Sequence, residues 1–290
     1  MMERQPTLWD NVPLENGYRY LSNLEFDKAV EQFNLALQFS LNDSEQIKEL
    51  IEACQFWKPL ITISVNNLTS DFYSEFLDEF CCFPFKSYMN GLKVALLVYF
   101  ADLLKKVTGP KLPLVRDTLD QFLILREYQN AEDLVSHYLG HSIKTESKEY
   151  ELLYLLGQVQ WLSGNKIDAS RNFAIALIHY PEQNLISRIP SGDLKEIIDS
   201  HGCEMAPAIG CIRGILPMMP VREQLTYLDT KHEKAIIAYR ILKKAHHAQI
   251  KKDMESCVRY RKELKQEFPE LFELYFKSLN QRKIFQRHNS

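Results

Sequence analysis

The chain has 290 residues, of which 46% are hydrophobic and 25% charged, ordinary proportions for a folded soluble protein. Ten glycines and 12 prolines argue against a turn-rich, many-stranded β architecture and suit long helices joined by short loops. The net charge of −3 conceals an asymmetry, with a balance of +8 over residues 231–290 and −11 over the first 230.

Met1 to Asn11 is polar, with Glu3, Arg4 and Asp10 and no apolar run behind them, so no secretory signal is expected. The next stretch holds Gly17, Tyr20, Ala29, Phe33 and Ala36, with turn residues at Ser22 to Glu25 and Leu41 closing the unit. Small residues at Gly17 and Ala29 let two helices approach. Pro13 and Asn16 are poor at apolar positions and predict a shortened first helix. Residues 10–43 thus read as one helix–turn–helix unit. Residues 44–111 are helical but less regular. Asp43 and Ser44 are cap candidates before EQIKELIEACQFW, LITISV at Leu60 to Val65 reads as a helix end or extended linker, and Gly91 to Lys106 reads as a long apolar helix. Its most apolar part, Leu92 to Leu104, carries Lys93 and Asp102 and falls short of the roughly 20 apolar residues a membrane span needs. A soluble, cytoplasmic chain is the expectation.

Further along, Leu119, Phe122, Ala131, Val135 and Tyr138 mark a degenerate unit near 112–145. The clearest unit, near 150–183, reads ELLYLLGQVQWLSGNKIDASRNFAIALIHYP from Glu151 to Pro181. Gly157 is small where a second helix crosses, Ala169 and Ala176 are small on the facing helix, and Phe173 fills the space between. Gly164 and Asn165 break the chain, and Pro181 ends the second helix. Residues 184–237 are again less regular, with a short helix over Ser191 to Ser200, Gly202 at its C-terminal end, and a methionine-rich stretch from Met205 to Pro220, charged only at Arg213, that could serve as a recognition surface but is expected as a buried helix. A last degenerate unit, near 238–271, has Ala245, Cys257, Leu264 and Pro269, with Arg261 at the aromatic position.

The shared offsets resemble the tetratricopeptide repeat (TPR) family, whose period is about 34 residues. The resemblance covers about half the chain, in two clear and two degenerate copies. It implies an all-α fold, an α–α superhelix of stacked antiparallel helix pairs in one continuous domain over 1–290, with the first helix of each pair lining a groove. By that register the groove positions are Glu151, Tyr154, Gln158, Trp161 and Leu162 in the clearest copy, and Asn11, Leu14, Tyr18, Leu21 and Ser22 in the first. The family's chaperone-type members grip a C-terminal carboxylate with lysine, asparagine and arginine. Here Glu151, Tyr154 and Gln158 stand at those positions, which implies a different ligand, an apolar or mixed peptide or a helix of a partner protein.

No GxGxxG, Walker A, HExxH, GxSxG or EF-hand pattern occurs. Cys54, Cys81, Cys82, Cys203, Cys211 and Cys257 form no CxxC pair and are expected as buried thiols. Asp133, His137 and His141 are spaced by helical turns, but Gly140 is expected to interrupt that helix. No metal, cofactor or catalytic residue is therefore assigned. The basic residues Lys243, Lys244, Lys251, Lys252, Arg259, Arg261, Lys262 and Lys265 are expected to spread around two helices, with Glu255, Glu263 and Glu267 among them. Tyr239 and Tyr260 are isolated, so no base-stacking platform is expected and this end reads as a solvated cap. The sequence thus favours a protein-interaction scaffold with an unidentified protein or peptide partner over two others: a nucleic-acid-associated protein using the basic end, and an enzyme with an unrecognised site.

Overall fold

The computed structural model describes residues 12–39, 43–64, 69–107, 112–141 and 146–288. These fold into fourteen α-helices and two short 3-10 turns, with no strand among the described residues. The chain divides into two compact units, residues 1–134 and 135–290.

The first unit contains α1 (Val12–Ser22), α2 (Phe26–Leu37), α3 (Ser44–Ser64), α4 (Ser70–Cys82), α5 (Asn90–Leu104), α6 (Leu112–Leu125) and the start of α7 (Tyr128–His141). LITIS belongs to the end of α3, and Val65 lies outside the described residues. Helix α1 has 11 residues, as Pro13 predicts. Helix α4 is capped by Thr69, whose side chain accepts from the Phe72 N–H, satisfying a donor that the first helical turn leaves free. The core here is unusually aromatic. Trp57, fully buried, stacks on Phe85 at 5.9 Å and touches Phe76, Phe80 and Phe83, and Phe76 stacks on Phe100 of α5 at 4.5 Å. Each such buried ring contributes about 1.5–3 kcal/mol.

The second unit contains the rest of α7, then α8 (Glu146–Leu162), α9 (Lys166–His179), a 3-10 turn at Gln183–Arg188, α10 (Asp193–His201), α11 (Ala206–Arg213), α12 (Thr230–Ile250), α13 (Met254–Glu267) and α14 (Pro269–His288). Helix α10 starts two residues later and ends one residue later than the sequence pattern places it, and is closed by Gly202, which has a positive φ of 83°. The buried helix expected over Met205 to Pro220 is realised only as the eight residues of α11. The rest, with its prolines, joins a strap over residues 214–229 that has neither helix nor strand. Helix α7 continues through Gly140, correcting the expected interruption; open space around Gly140 imposes no break, and a lone glycine costs a helix only about 1 kcal/mol.

Four helix–turn–helix segments share one turn register: α1–α2, α6–α7, α8–α9 and α12–α13. Each turn has one residue at positive φ: Leu24 (59°), Arg126 (61°), Gly164 (93°) and Lys252 (59°). In three of them the next amide reaches five residues back at 2.9 Å: Glu25 to Tyr20, Glu127 to Phe122 and Asp253 to Ala248. Such bonds satisfy the orphan carbonyls of a helix end. The following helix then starts at the same step in all four, with Ala29, Ala131, Ala169 and Cys257 donating to the carbonyls of Glu25, Glu127, Asn165 and Asp253 at 3.0–3.1 Å. Those four are buried, as are Gly17, Leu119, Gly157 and Ala245, seven residues before each turn residue. The degenerate copies thus fold with the same turn register as the clear ones.

The crossing itself differs in one respect from the expected pairing of Gly17 with Ala29 and Gly157 with Ala169. The glycines receive the rings of Phe33 and Phe173, the nearest side chains to the space where their Cβ atoms would be. Glycine in mid-helix costs about 0.5–1 kcal/mol relative to alanine, and the ring that occupies the vacated space offsets that cost.

Candidate functional site

The residues assigned to a groove divide by burial. Tyr154 and Leu21 are corrected to core positions, at 0% and 1% exposure. The Tyr154 hydroxyl donates to the Tyr180 carbonyl at 3.1 Å, and burial pushes its pKa well above the usual tyrosine range. Helix α8 is buried on most of its circumference, so the positions that a one-sided helix exposes are enclosed. Glu151, Gln158, Trp161 and Tyr18 are half-buried. The Trp161 ring packs on the second unit's core and lies under the Lys166 ammonium at 5.2 Å. Gln158 keeps a buried Oε1 with no hydrogen-bond donor among the described residues. The Tyr18 hydroxyl accepts from Gln46 at 2.6 Å and its ring meets Phe33 edge-on. Leu162 and Ser22 are exposed, Leu14 is half-buried, and Asn11 lies outside the described residues.

Gln160 lies four residues before the Gly164 turn. It is buried and accepts from Asn172 of α9 at 2.7 Å, joining the pair by a polar contact. Among the described residues no group of three or more His, Cys, Asp or Glu side chains is placed to hold a metal ion. Cys54, Cys203 and Cys257 are buried as expected, whereas Cys81 and Cys82, in the last turn of α4, are exposed.

Basic side chains gather in the second unit around a cavity of about 470 Å³ lined by Val221 of the strap, by Arg240, Lys243, Lys244, His247, Ala248 and Lys251, and by Asp253, Ser256 and Tyr260. Of the eight basic residues expected to spread around two helices, Lys243, Lys244 and Lys251 gather here, while Lys252, Arg259, Arg261, Lys262 and Lys265 are outside the lining. Residues 240, 243, 244, 247 and 251 follow helical spacing and share one face of α12. Arg240 and His247 complete the row, and the sequence reading had missed both. Helical spacing within α12 alone would have found them; pooling the charges of two helices hid it.

The cavity's walls explain its polarity. The strap runs across α12 and is tied to it by side chains. Tyr239 Oη accepts from the Met219 N–H at 2.7 Å and donates to the Met219 carbonyl at 3.0 Å. Lys243 Nζ donates to the same carbonyl at 3.2 Å, and Arg240 donates to the Arg222 carbonyl at 3.0 Å. These acceptors are neutral, so both cations keep their charge. None of Arg240, Lys243, Lys244 and Lys251 pairs with a carboxylate among the described residues. The one acidic side chain in the wall, Asp253, is engaged as the cap of α13. It accepts from Ser256 N at 3.1 Å, and the Ser256 hydroxyl and amide hold its carboxyl below the usual range.

Two buried histidines fix the far side of the strap. His179 Nε2 accepts from Arg222 N at 3.4 Å while Nδ1 faces the Ile175 carbonyl at 2.8 Å. His232 Nδ1 accepts from Leu228 N at 3.2 Å while Nε2 faces the Ile178 carbonyl at 2.9 Å. For His179, whose pKa burial lowers, an N–H donor facing one ring nitrogen and a carbonyl facing the other fit a neutral imidazole. Arg222 pairs with Glu149 at 3.0 Å and lies over Tyr150, which stacks on His179.

Elsewhere, a cavity of about 640 Å³ in the first unit is lined by Ser22, Asn23, Leu24, Gly91, Val94 and Val98 among others, with no ionisable group but Tyr99. Comparison with protein-family models, with curated proteins and with solved structures gave no match to this chain.

Proposed function

We propose that the chain is a TPR-like scaffold that binds a segment of a partner protein. The observation that carries this reading is the common register of the four helix–turn–helix segments. One positive-φ turn residue, a buried residue seven before it and a small buried residue five after it recur four times. A chain built by repeating one helix pair presents long rows of side chains, which suits recognition of an extended or helical segment. In this reading the pairs stack in the right-handed superhelix that the resemblance implies. The contact residues come from the half-buried groove positions Glu151, Gln158, Trp161 and Tyr18, together with exposed Leu162.

The test uses the full chain as bait against a native lysate, followed by reconstitution with each purified candidate. The reading expects a saturable protein partner whose affinity falls at least tenfold for Leu162→Arg, a variant at an exposed position that retains the wild-type melting curve. Failure to capture a protein, together with steady depletion of a compound from a metabolite extract by the purified chain, makes the enzyme reading the better one.

A further inference from the structure

We infer that the cavity on α12 and α13 is a docking site for an acidic peptide segment, one whose carboxylate or phosphate groups are spaced along an extended chain. The inference rests on the scaffold reading and names the chemistry of a partner.

Charge is the first argument. Arg240, three lysines and a histidine line one concavity, and its single carboxylate, Asp253, held ionised as a helix cap, offsets only one of the four cations. Like charges held together raise the free energy of the empty site, and an anion entering the partly desolvated cavity relieves that repulsion. A basic row that served only solubility would have no need of a concave wall shared with the strap.

Shape is the second. From Arg240 to Lys251 the row covers eleven helical steps, about 16 Å at 1.5 Å per residue. One phosphate or carboxylate spans only a fraction of that length, whereas about five residues of extended peptide match it at roughly 3.3 Å each. The strap runs over the same face with no regular structure of its own. Its Met219 and Arg222 carbonyls already occupy Lys243 and Arg240. Lys244, His247 and Lys251 are exposed beyond them, so the incoming anions meet the free end of the row first.

The site is separate from the groove of the scaffold reading. Counting from the turn, the groove positions of Glu151, Tyr154, Gln158, Trp161 and Leu162 correspond in α12 to Tyr239, Leu242, His246, Gln249 and Ile250. None of the five basic residues stands at one of them.

Nucleic acid carries the same charge, but tight single-strand binding adds a platform on which bases stack. The one aromatic ring in the wall, Tyr260, is flanked by the Lys244 ammonium at 5.6 Å and the Arg259 guanidinium at 4.7 Å from its centroid. The cation–π contacts compete with a base for the faces of that ring. A peptide needs no such surface.

Fluorescence anisotropy on the full chain tests this with four labelled probes: octaglutamate, an eight-residue peptide carrying three phosphoserines, octalysine, and a ten-nucleotide uridine RNA. The expected result is saturable binding of one or both acidic peptides. It should weaken at least tenfold in the double variant Lys244→Glu/Lys251→Glu and less than threefold in Lys262→Glu/Lys265→Glu, which alters basic residues outside the cavity. All four positions are exposed, and circular dichroism confirms that each variant is folded. The two acidic probes distinguish carboxylate from phosphate. Acidic peptides that bind no better than octalysine, or equally well to both double variants, overturn the proposal. RNA bound more tightly than either acidic peptide replaces it with the nucleic-acid reading. A captured partner together with a negative peptide panel removes this inference and leaves the scaffold reading standing.

Discussion

Gly157 of α8 lies so close to Phe173 of α9 that a Cβ on the glycine would come within 2.7 Å of the ring's Cε1. Phe173 is fully buried, so the ring has little room to retreat. Gly157→Ala should overpack the crossing and cost about 1–3 kcal/mol, measured by urea denaturation. The double variant Gly157→Ala/Phe173→Leu should recover part of the loss, because the two residues share one space. Additive losses would show that the ring is not what excludes the methyl group. Gly17 meets Phe33 in the same way and should respond alike.

The turn residues separate by type. Leu24, Arg126 and Lys252 hold a left-handed conformation without being glycine, at a cost of about 1–2 kcal/mol each. Lys252→Gly should therefore raise stability by up to about 1 kcal/mol, since glycine's greater freedom in the unfolded chain cancels part of the relief. Gly164→Ala should lower it. Parallel thermal melts of the two variants check the opposite signs.

The strap should make stability depend on pH through His179. Burial lowers its pKa below the ordinary histidine value, and the nearby Arg222 guanidinium and His232 add to that, against the Ile175 carbonyl and Glu149, which raise it. The folded state thus binds the proton less readily than the unfolded chain. Its contribution is fully present above the unfolded value of about 6.5 and is lost as pH falls through the folded one. Protonation at Nε2 also removes the acceptor for the Arg222 N–H. The urea midpoint should drop between pH 7.5 and pH 5.5, and the drop should shrink in His179→Gln. An unchanged drop in that variant would assign the effect to other groups.

Thiol chemistry should divide the cysteines. Cys81 and Cys82 are exposed and should react with a maleimide in the native protein, Cys81 the more slowly because partial burial raises its pKa. Cys54, enclosed and pushed up to about 12, should react only on unfolding, as should Cys203 and Cys257. Mass spectrometry of labelled peptides before and after adding urea reads this directly.

The sequence pattern located the helix–turn–helix segments because small residues and turn residues recur at fixed offsets, and those offsets are what the backbone needs. It did not separate Tyr154 and Leu21 from surface positions, since their burial depends on elements distant in sequence: the Tyr180 carbonyl receives the Tyr154 hydroxyl from 26 residues away. The strap left no periodic trace at all. Its order comes from Tyr239 and His232 of the helix that follows it and from His179, 43 residues before Arg222. The basic row was present as spacing within α12, obscured by being counted together with the charges of α13.

Tyr239 returns both hydrogen bonds of Met219 with one hydroxyl. A peptide unit in a sheet finds that service on a neighbouring strand; here a buried phenol supplies it to a segment with no regular structure. The Met219 amide is accordingly tied to helix α12 rather than to its own neighbours. It should exchange with solvent at the pace of that attachment, so that one amide reports when the strap lifts while the helices beneath stay closed.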